Sequence, residues 1–511
     1  MRLINLLQNN ILNLVVFLTG ASILIIEITA TRVLSPYFGN TTYTVTGVIS
    51  VILLALSLGY YYGGRLADKN PSYKTFFTLI ISGGLTTIFI QLLSVTLNPI
   101  LSPLLPISTG PLIMATLLFC LPGILLGMLS PYAIKLQSIA HQEKGIGENA
   151  GTLFFFSTLG SIVGSMSTAF ILIPNYGISN IIVGTGLFLI LLGSIGMALT
   201  SSLQKKKNKL YILIALFFTA LASQTTNQPL IQNSIYFKDG TYEKIAVVDT
   251  NYNDRPLRLL TLDHNSSSGK YLDSDDLAFP YTKYYELYKL RNQAPQRIAV
   301  LGAGAYSIPI RLNQELPNTI IEGIDIEPLL PSISKQYFGL SDNTNIHQIT
   351  ADARRHLQKS PHTYDLIFSD AFASKHSPPA HLGTQEFYQL IHTRLSTHGI
   401  FIANFHGSLE GQKAPLVLSS LKTIQSVFPQ TYVFQVEGKD RQAISNIIIV
   451  AYKDTYEINS NSISQMTNLA TDSILPSLLA SQYIPPEAAL ANLPVLTDNY
   501  APLEYLESKL F

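Results

Sequence analysis

Apolar and polar positions split this chain of 511 residues into two halves of different character. Up to residue 224 the apolar residues come in long runs, at about 11–31, 43–63, 75–95, 111–134, 151–173, 178–200 and 209–224. A bilayer core takes about 20 apolar residues as a helix. The runs therefore predict a multi-pass α-helical membrane bundle of about seven spans over 1–224, the last run being the shortest. Beyond residue 234 the pattern shortens. Residues 234–263 read as short strands with polar turns, among them 245–249 and 257–262. With a Tyr-rich helical stretch at about 280–291 they form a small β subdomain over 234–292. From 293 to 455 strands alternate with helical patterns: 297–301 running into a Gly turn, then 320–325, 346–352, 364–370 and 399–404. That alternation predicts a mostly parallel sheet covered on both faces, an α/β Rossmann-like domain. Residues 224–233 read as a linker. Residues 456–511 read as a C-terminal extension of loops and short helices, with turns at Pro485-Pro486 and Asn499-Tyr500-Ala501-Pro502.

Charge follows the same division. Residues 1–223 hold four acids (Glu27, Asp68, Glu143, Glu148) against eleven Lys and Arg, and the remainder is net acidic. Lys and Arg cluster after the second, fourth and sixth runs and are missing from 96–110 and 174–177. The positive-inside rule therefore places the N-terminus and the even-to-odd loops in the cytoplasm of a cell, or inner, membrane. Seven spans would then carry the soluble half to the other side; a re-entrant piece near 96–110 would return it. The first run has no convincing cleavage site and reads as a retained helix. Within the bundle, Glu27 and Arg32 are ionisable groups at costly depth, open to a functional or a structural reading. Gly160 and Gly164 form a GxxxG that reads as close helix packing. The single cysteine, Cys120, rules out an internal disulfide, and a net charge of +1 gives no reason to expect nucleic acid.

The candidate chemistry lies in the soluble half. In open α/β sheets ligands bind outside the carboxyl ends of the strands. Gly302 and Gly304 follow the first Rossmann strand, where missing side chains let a ligand approach the backbone. Asp325 ends the second strand at the spacing from the Gly turn that lets an acid accept from ribose hydroxyls. Asp352 and Asp370 end the third and fourth. Each acid also has a plain alternative as a turn former or helix cap, and Asp365, inside the fourth strand's start, reads as structural. The loop 371–379 is long and without helical period, which suits an active-site lid. At its mouth, Asp370 can hold an ammonium group or accept its proton. His376 and His381 flank the prolines at 378–379, and no His/Cys spacing suggests a metal site.

On these residues the chain resembles the spermidine/spermine synthase family, the polyamine aminopropyltransferases, over about 235–452. The likeness runs through the strand at Tyr242-Glu243-Lys244-Ile245-Ala246-Val247, Leu262-Asp263, Tyr281, the Gly302-Ala303-Gly304 turn, Asp325, Asp352-Ala353-Arg354, Asp370 and Glu386-Phe387-Tyr388. The helical half is similar to that of membrane-fused bacterial members in Glu27, Thr31-Arg32-Val33-Leu34, the Gly64-Arg65-Leu66-Ala67-Asp68 loop and Gly151 to Gly164. The resemblance implies a methyltransferase-type fold and aminopropyl transfer from decarboxylated S-adenosylmethionine to a small-molecule amine. It implies Asp325 on the ribose, Asp352 by the adenine, Asp370 orienting and deprotonating the amine, and Tyr281 and Asn404 on the amine's side. The implied partners are the amine, the lipid bilayer and a second copy in a homodimer. The chain departs from the family at Ala305, where an Asp usually grips the donor's amine, at Tyr281-Thr282-Lys283 for Tyr-His-Glu, at Ser267 for Gln, and at Ala373 for a second acid. Methyl transfer from intact S-adenosylmethionine is the competing enzymatic reading. A sensor or transporter is the non-enzymatic one.

Overall fold

The computed structural model describes residues 2–200, Phe217, Thr219, Ala220, Ala222, 233–291, 294–372, 378–458 and 474–510. The chain folds as two compact units, Met1–Pro229 and Leu230–Phe511.

Among the described residues of the first unit, six helices are long and apolar enough to cross a membrane: Ile11–Phe38, Thr42–Lys69, Tyr73–Leu104, Gly110–Ala140, Ile146–Asn175 and Ile178–Thr200, here spans 1 to 6. Of the seventh predicted run, only Phe217, Thr219, Ala220 and Ala222 are described, and they are helical. The rest of it, and most of the 224–233 linker, lie outside the described residues. The spans pack in three pairs, 1 with 5, 2 with 4 and 3 with 6. Each pair meets at glycines. A Cβ on Gly160 or Gly164 would strike the carbonyls of Phe17 and Ala21, one on Gly63 would lie 2.6 Å from the Met128 Cα, and one on Gly84 would lie 2.6 Å from the Gly186 carbonyl oxygen. Lipid tails are as apolar as leucine, so close backbone approach and packing hold such helices together. The GxxxG of span 5 thus has the packing role its spacing suggested.

Prolines account for the irregular turns. Pro131 has no N–H for the Gly127 carbonyl, and span 4 breaks at Met128. Pro174 follows a π turn over Thr168–Leu172 in span 5. That turn borders a cleft of about 350 Å³ between spans 1, 5 and 6, lined by Leu18, Ser22, Leu172, Tyr176, Thr185 and Phe188 among others. Glu27 is not among its lining residues. At the end of span 2 the Arg65 guanidinium stacks 4.1 Å above the Tyr61 ring, and Asp68 pairs with Lys135 of span 4 at 2.9 Å.

The second unit carries two sheets. β1 (Ser234–Asp239), β2 (Lys244–Tyr252), β3 (Arg255–Leu262) and β4 (Asn265–Tyr271) form an antiparallel meander in sequence order. β4 lies beyond the strands read from the sequence over 234–263, and Ser266-Ser267-Ser268-Gly269 has no apolar alternation to mark it. The Tyr-rich stretch is a long 3₁₀ helix, Pro280–Arg291, that buries Tyr284, Tyr285, Leu287, Tyr288 and Leu290. The larger sheet has eight strands: β5 (Arg297–Leu301), β6 (Ile320–Asp325), β7 (Ile346–Thr350), β8 (Tyr364–Ser369), β9 (Leu395–Gly407), β10 (Gln430–Gln435), β11 (Ser445–Tyr452) and β12 (Gln482–Tyr483). Their order is β12-β10-β11-β9-β8-β5-β6-β7. β5 to β9 are parallel, and β10, β11 and β12 join antiparallel. Five of these strands stand out in the sequence, and the antiparallel three complete the sheet. Asp365 ties the strand starts together, accepting from the Gln296 and Arg297 N–H groups at 2.7 and 3.1 Å and from Ser396 at 2.7 Å. The C-terminal extension belongs to this unit, since β12 pairs with β10 and Leu475, Leu478 and Leu479 enter the core.

Gly160→Leu should open the span 1–span 5 contact. Overpacking of this kind costs about 1–3 kcal/mol, so the denaturant midpoint of the helical unit in detergent should fall while ligand binding by the soluble unit persists. An unchanged midpoint would show that the two spans do not meet there.

Candidate active site

In the larger sheet β5 lies between β6 and β8, so the chain's direction of travel reverses beside β5. Such a switch point leaves a crevice at the carboxyl ends of the two strands. Two backbone contacts define its floor. The Asp370 N–H donates to the Leu301 carbonyl at 2.8 Å. Gly302 has φ +82°, and a Cβ there would run into the Asp370 carbonyl oxygen. A side chain at position 302 would thus both strain the backbone and push the two strand ends apart. Gly304, at φ +52°, faces β4: its Cβ would lie 2.5 Å from the Ser268 Oγ. That hydroxyl also accepts from the Ala305 N–H at 3.1 Å. The small sheet therefore holds the Gly turn from its far side.

Asp370 receives two neutral hydrogen bonds from separate elements. The Tyr281 hydroxyl, from the 3₁₀ helix, donates to Oδ2 at 2.8 Å, and Asn404 Nδ2, from β9, donates to Oδ1 at 2.8 Å. Loss of water at the bottom of the crevice pushes the Asp370 carboxyl up to about 7, and the Asn404 and Tyr281 donors offset only part of this. The Tyr281 phenol is pushed far above its usual range, first by burial and then by the neighbouring carboxylate. Asn404 is 7% exposed, and its own Oδ1 is buried without a hydrogen-bond partner among the described residues.

The other strand-end acids have backbone partners. Asp325 accepts from the Gly304 N–H at 3.0 Å and from the Glu327 N–H at 3.1 Å. Burial raises its pKa and those amides work against the rise. The Ile326 and Ala303 amides also lower its pKa, so four backbone N–H groups face this carboxylate. Asp352 is the N-cap of the helix Ala353–Lys359, taking the Arg355 N–H at 2.8 Å, and its other oxygen meets His381 Nε2 at 2.8 Å. Burial raises its pKa, but the Arg355 amide and His381 outweigh that and hold it below the usual value. The structure thus brings Gly302, Tyr281, Asn404 and Asp370 into one crevice and ties Asp325 to the same Gly turn. Asp352 lies at the third strand's end on a helix cap.

Several positions gain meaning only from the fold. Ala305 is fully buried in an apolar cluster with Ile245, Val247, Leu260 and Leu330. Lys283 lies close enough to Asp276 to help lower its pKa, after Ser274 and Arg255, so a neighbouring carboxylate offsets its charge. His376 and Ala373, with the middle of the loop 371–379, lie outside the described residues. Sequence reasoning missed Ser268 and Glu327. Glu327 is 1% exposed and accepts from the Tyr242 and Leu329 N–H groups at 2.9 and 3.3 Å, while its own N–H donates to Asp325 at 3.1 Å. It also missed Tyr306, whose left-handed φ of 62° turns its ring over Gly323, where a Cβ would lie 2.5 Å from the ring. The adjoining Gly-Ile-Asp of β6 was the available signal.

No family model matches the chain. It is 26% identical over 316 residues to the polyamine aminopropyltransferase of Vibrio vulnificus (strain CMCP6), a stretch covering 59% of this chain and 99% of the relative. It is 23% identical over 440 residues to polyamine aminopropyltransferase 2 of Aquifex aeolicus (strain VF5), covering 81% of this chain and 82% of the relative. That alignment is longer than the whole second unit and so reaches into the helical one. Among solved structures, a probable spermidine synthase from Corynebacterium glutamicum ATCC 13032 matches 50% of this chain and 91% of its own, at 20% identity and a TM-score of 0.41.

The raised carboxyl has a cost. Because the folded pKa of Asp370 exceeds the usual carboxylate value, the native state binds this proton more tightly than the unfolded chain. Its contribution to stability is present at pH 4 and is lost as pH rises to about 7. Asp370→Asn should therefore be more stable than the parent at pH 8 by ~1–3 kcal/mol and indistinguishable from it near pH 4. Thermal unfolding across pH checks this; an Asn variant that is no more stable at pH 8 would contradict the raised pKa.

Proposed function

We propose that this chain, which is similar to polyamine aminopropyltransferases, is a membrane-bound aminopropyltransferase acting on decarboxylated S-adenosylmethionine and a small amine. The observation that carries the reading is Asp370: a carboxyl at the switch point, held by two neutral donors and pushed up to about 7. An amine attacks carbon only when unprotonated. A carboxylate with that pKa can first bind an ammonium and then take its proton, because its basicity lies near the working pH. The Asn404 Oδ1, a buried acceptor with no donor among the described residues, suits a second N–H of the same amine.

The step balances as a displacement. The amine nitrogen forms a bond to the propyl carbon attached to sulfur. The carbon–sulfur bond breaks, and its electron pair neutralises the sulfonium as methylthioadenosine leaves. Asp370 takes the one proton that frees the nitrogen lone pair before attack, and the product leaves as a secondary ammonium. By position, Gly302 and Gly304 admit the nucleoside to the backbone, Asp325 takes the ribose hydroxyls and Asp352 stands at the adenine. Tyr281 orients Asp370 and closes the amine side. The six apolar helices favour a cell-membrane location, the inner membrane in a bacterium, and a homodimer accords with the resemblance.

One observation favours a second reading. Ala305 points into an apolar cluster, so that position offers no carboxylate for the terminal ammonium of a decarboxylated donor. Intact S-adenosylmethionine with methyl transfer to an amine would use the same Asp370. Competition binding of the two donors separates the readings: tighter binding of the decarboxylated donor supports aminopropyl transfer.

Asp370→Asn should lower kcat by about 10²–10⁴, the usual worth of a positioned base, with nucleoside affinity little changed. Parent turnover should rise with pH through about 7, where the carboxyl ionises. Asn404→Ala removes a bond that favours the ionised form, so it should move that midpoint upward. A rate independent of pH between 5 and 9, or full activity in Asp370→Asn, would exclude Asp370 as the base.

A further inference from the structure

The C-terminal segment makes an unusually dense set of polar contacts beside the nucleoside side of the crevice. Leu496, Leu503, Leu506 and Leu510 pack with Leu416 in a small apolar core of their own. The Leu496 N–H donates to Thr423 Oγ1 at 2.9 Å, and its carbonyl accepts from the Gln385 N–H at 2.7 Å. Thr497 and Tyr500 then bond to each other through both backbone groups at 2.9 Å, closing a tight turn with Asp498 near its tip.

Asp498 joins three pieces of chain. Arg354 grips it with both ends of its guanidinium, Nη1 to Oδ1 at 2.6 Å and Nη2 to Oδ2 at 2.5 Å. Thr384 donates to Oδ1 at 2.7 Å, and the Asp498 N–H donates to Glu386 Oε2 at 2.8 Å. Arg354 also donates to the His381 carbonyl at 3.0 Å, while the His381 ring meets Asp352 at 2.8 Å. Arg354 is two residues beyond Asp352, in the first turn of the same helix. His381 and Thr384 lie where the loop 371–379 returns to the fold. The contacts therefore run from Asp498 to Arg354, to His381 and to Asp352.

We propose that Asp498 is a positioning residue for the nucleoside site, and that the C-terminal turn is a clasp on it. The planar, two-bond grip fixes where the Arg354 side chain sits and how the helix end carrying Asp352 is presented. The Thr384 and His381 contacts tie the returning end of the loop to the same point. The leucines keep the segment docked, and a partly exposed ion pair adds little to stability. What the pair supplies is geometry. The proposal rests on the reading of Asp352 as the adenine-side acid.

The test is binding of 5′-methylthioadenosine to the full-length, detergent-solubilised chain by calorimetry. Asp498→Asn should weaken binding about tenfold and raise the donor KM in parallel, with kcat within about twofold, the pattern expected of lost positioning rather than lost chemistry. The pH midpoint set by Asp370 should stay in place, and Asp498→Glu should recover part of the affinity. Parent-like affinity in Asp498→Asn would overturn the clasp. No binding by the parent chain would overturn the adenine-side reading itself, and the clasp with it. If Asp498→Asn does not fold, hydrogen exchange on the parent decides: methylthioadenosine should slow exchange in both 380–386 and 496–503, and no slowing there would overturn the proposal.

Discussion

The site depends on one close approach. Leu301 and Asp370 end two neighbouring parallel strands, joined by the Asp370 N–H at 2.8 Å, and the carbonyl of Asp370 occupies the space a Cβ on residue 302 would need. Everything catalytic in the proposed reaction follows from that contact. It fixes Asp370 at the strand end, and burial there raises the carboxyl's pKa. It aligns the carboxyl with a tyrosine from the 3₁₀ helix and an asparagine from β9, both neutral. A cation in either place would have lowered the pKa and left a weaker base.

The two units solve different packing problems with the same residue. In the helical unit glycine permits backbones to touch, because nothing in lipid drives apolar helices together as water does. In the soluble unit glycine at 302 and 304 permits the backbone to reach a carbonyl and a serine. The donor side of the crevice is less charged than the resemblance implies. Ala305 is part of an apolar core, and Lys283 is offset by Asp276. In the proposed reaction, recognition of the reacting groups therefore falls on Asp325, Asp352, Asp370 and Asn404.

Much of this was legible in the sequence wherever local pattern and fold agree. Five buried strands, a Gly turn and acids at strand ends carry their own signal, because parallel strands covered on both faces read as apolar runs and ligands bind at their carboxyl ends. β4 was not legible: a Ser-rich stretch becomes a strand only through its pairing with β3, and only that pairing brings Ser268 to the Gly turn. The alternative reading of Asp352 as a helix cap describes a bond that is present, and its nucleoside role stands as a proposal beside it. Asp498 could not be found by pattern, since its partner Arg354 is 144 residues away and each is ordinary in its own neighbourhood. Side-chain networks that close over such distances carry no periodicity.

The central claim is that this crevice moves an aminopropyl group. The direct measurement is mass spectrometry of the nucleoside released when the purified full-length chain is given both donors together with a panel of diamines and polyamines. Methylthioadenosine, formed only when amine is present and lost in Asp370→Asn, is the predicted result. S-adenosylhomocysteine in its place would contradict the claim and assign methyl transfer to the same base; release of neither nucleoside would contradict catalysis at Asp370 altogether.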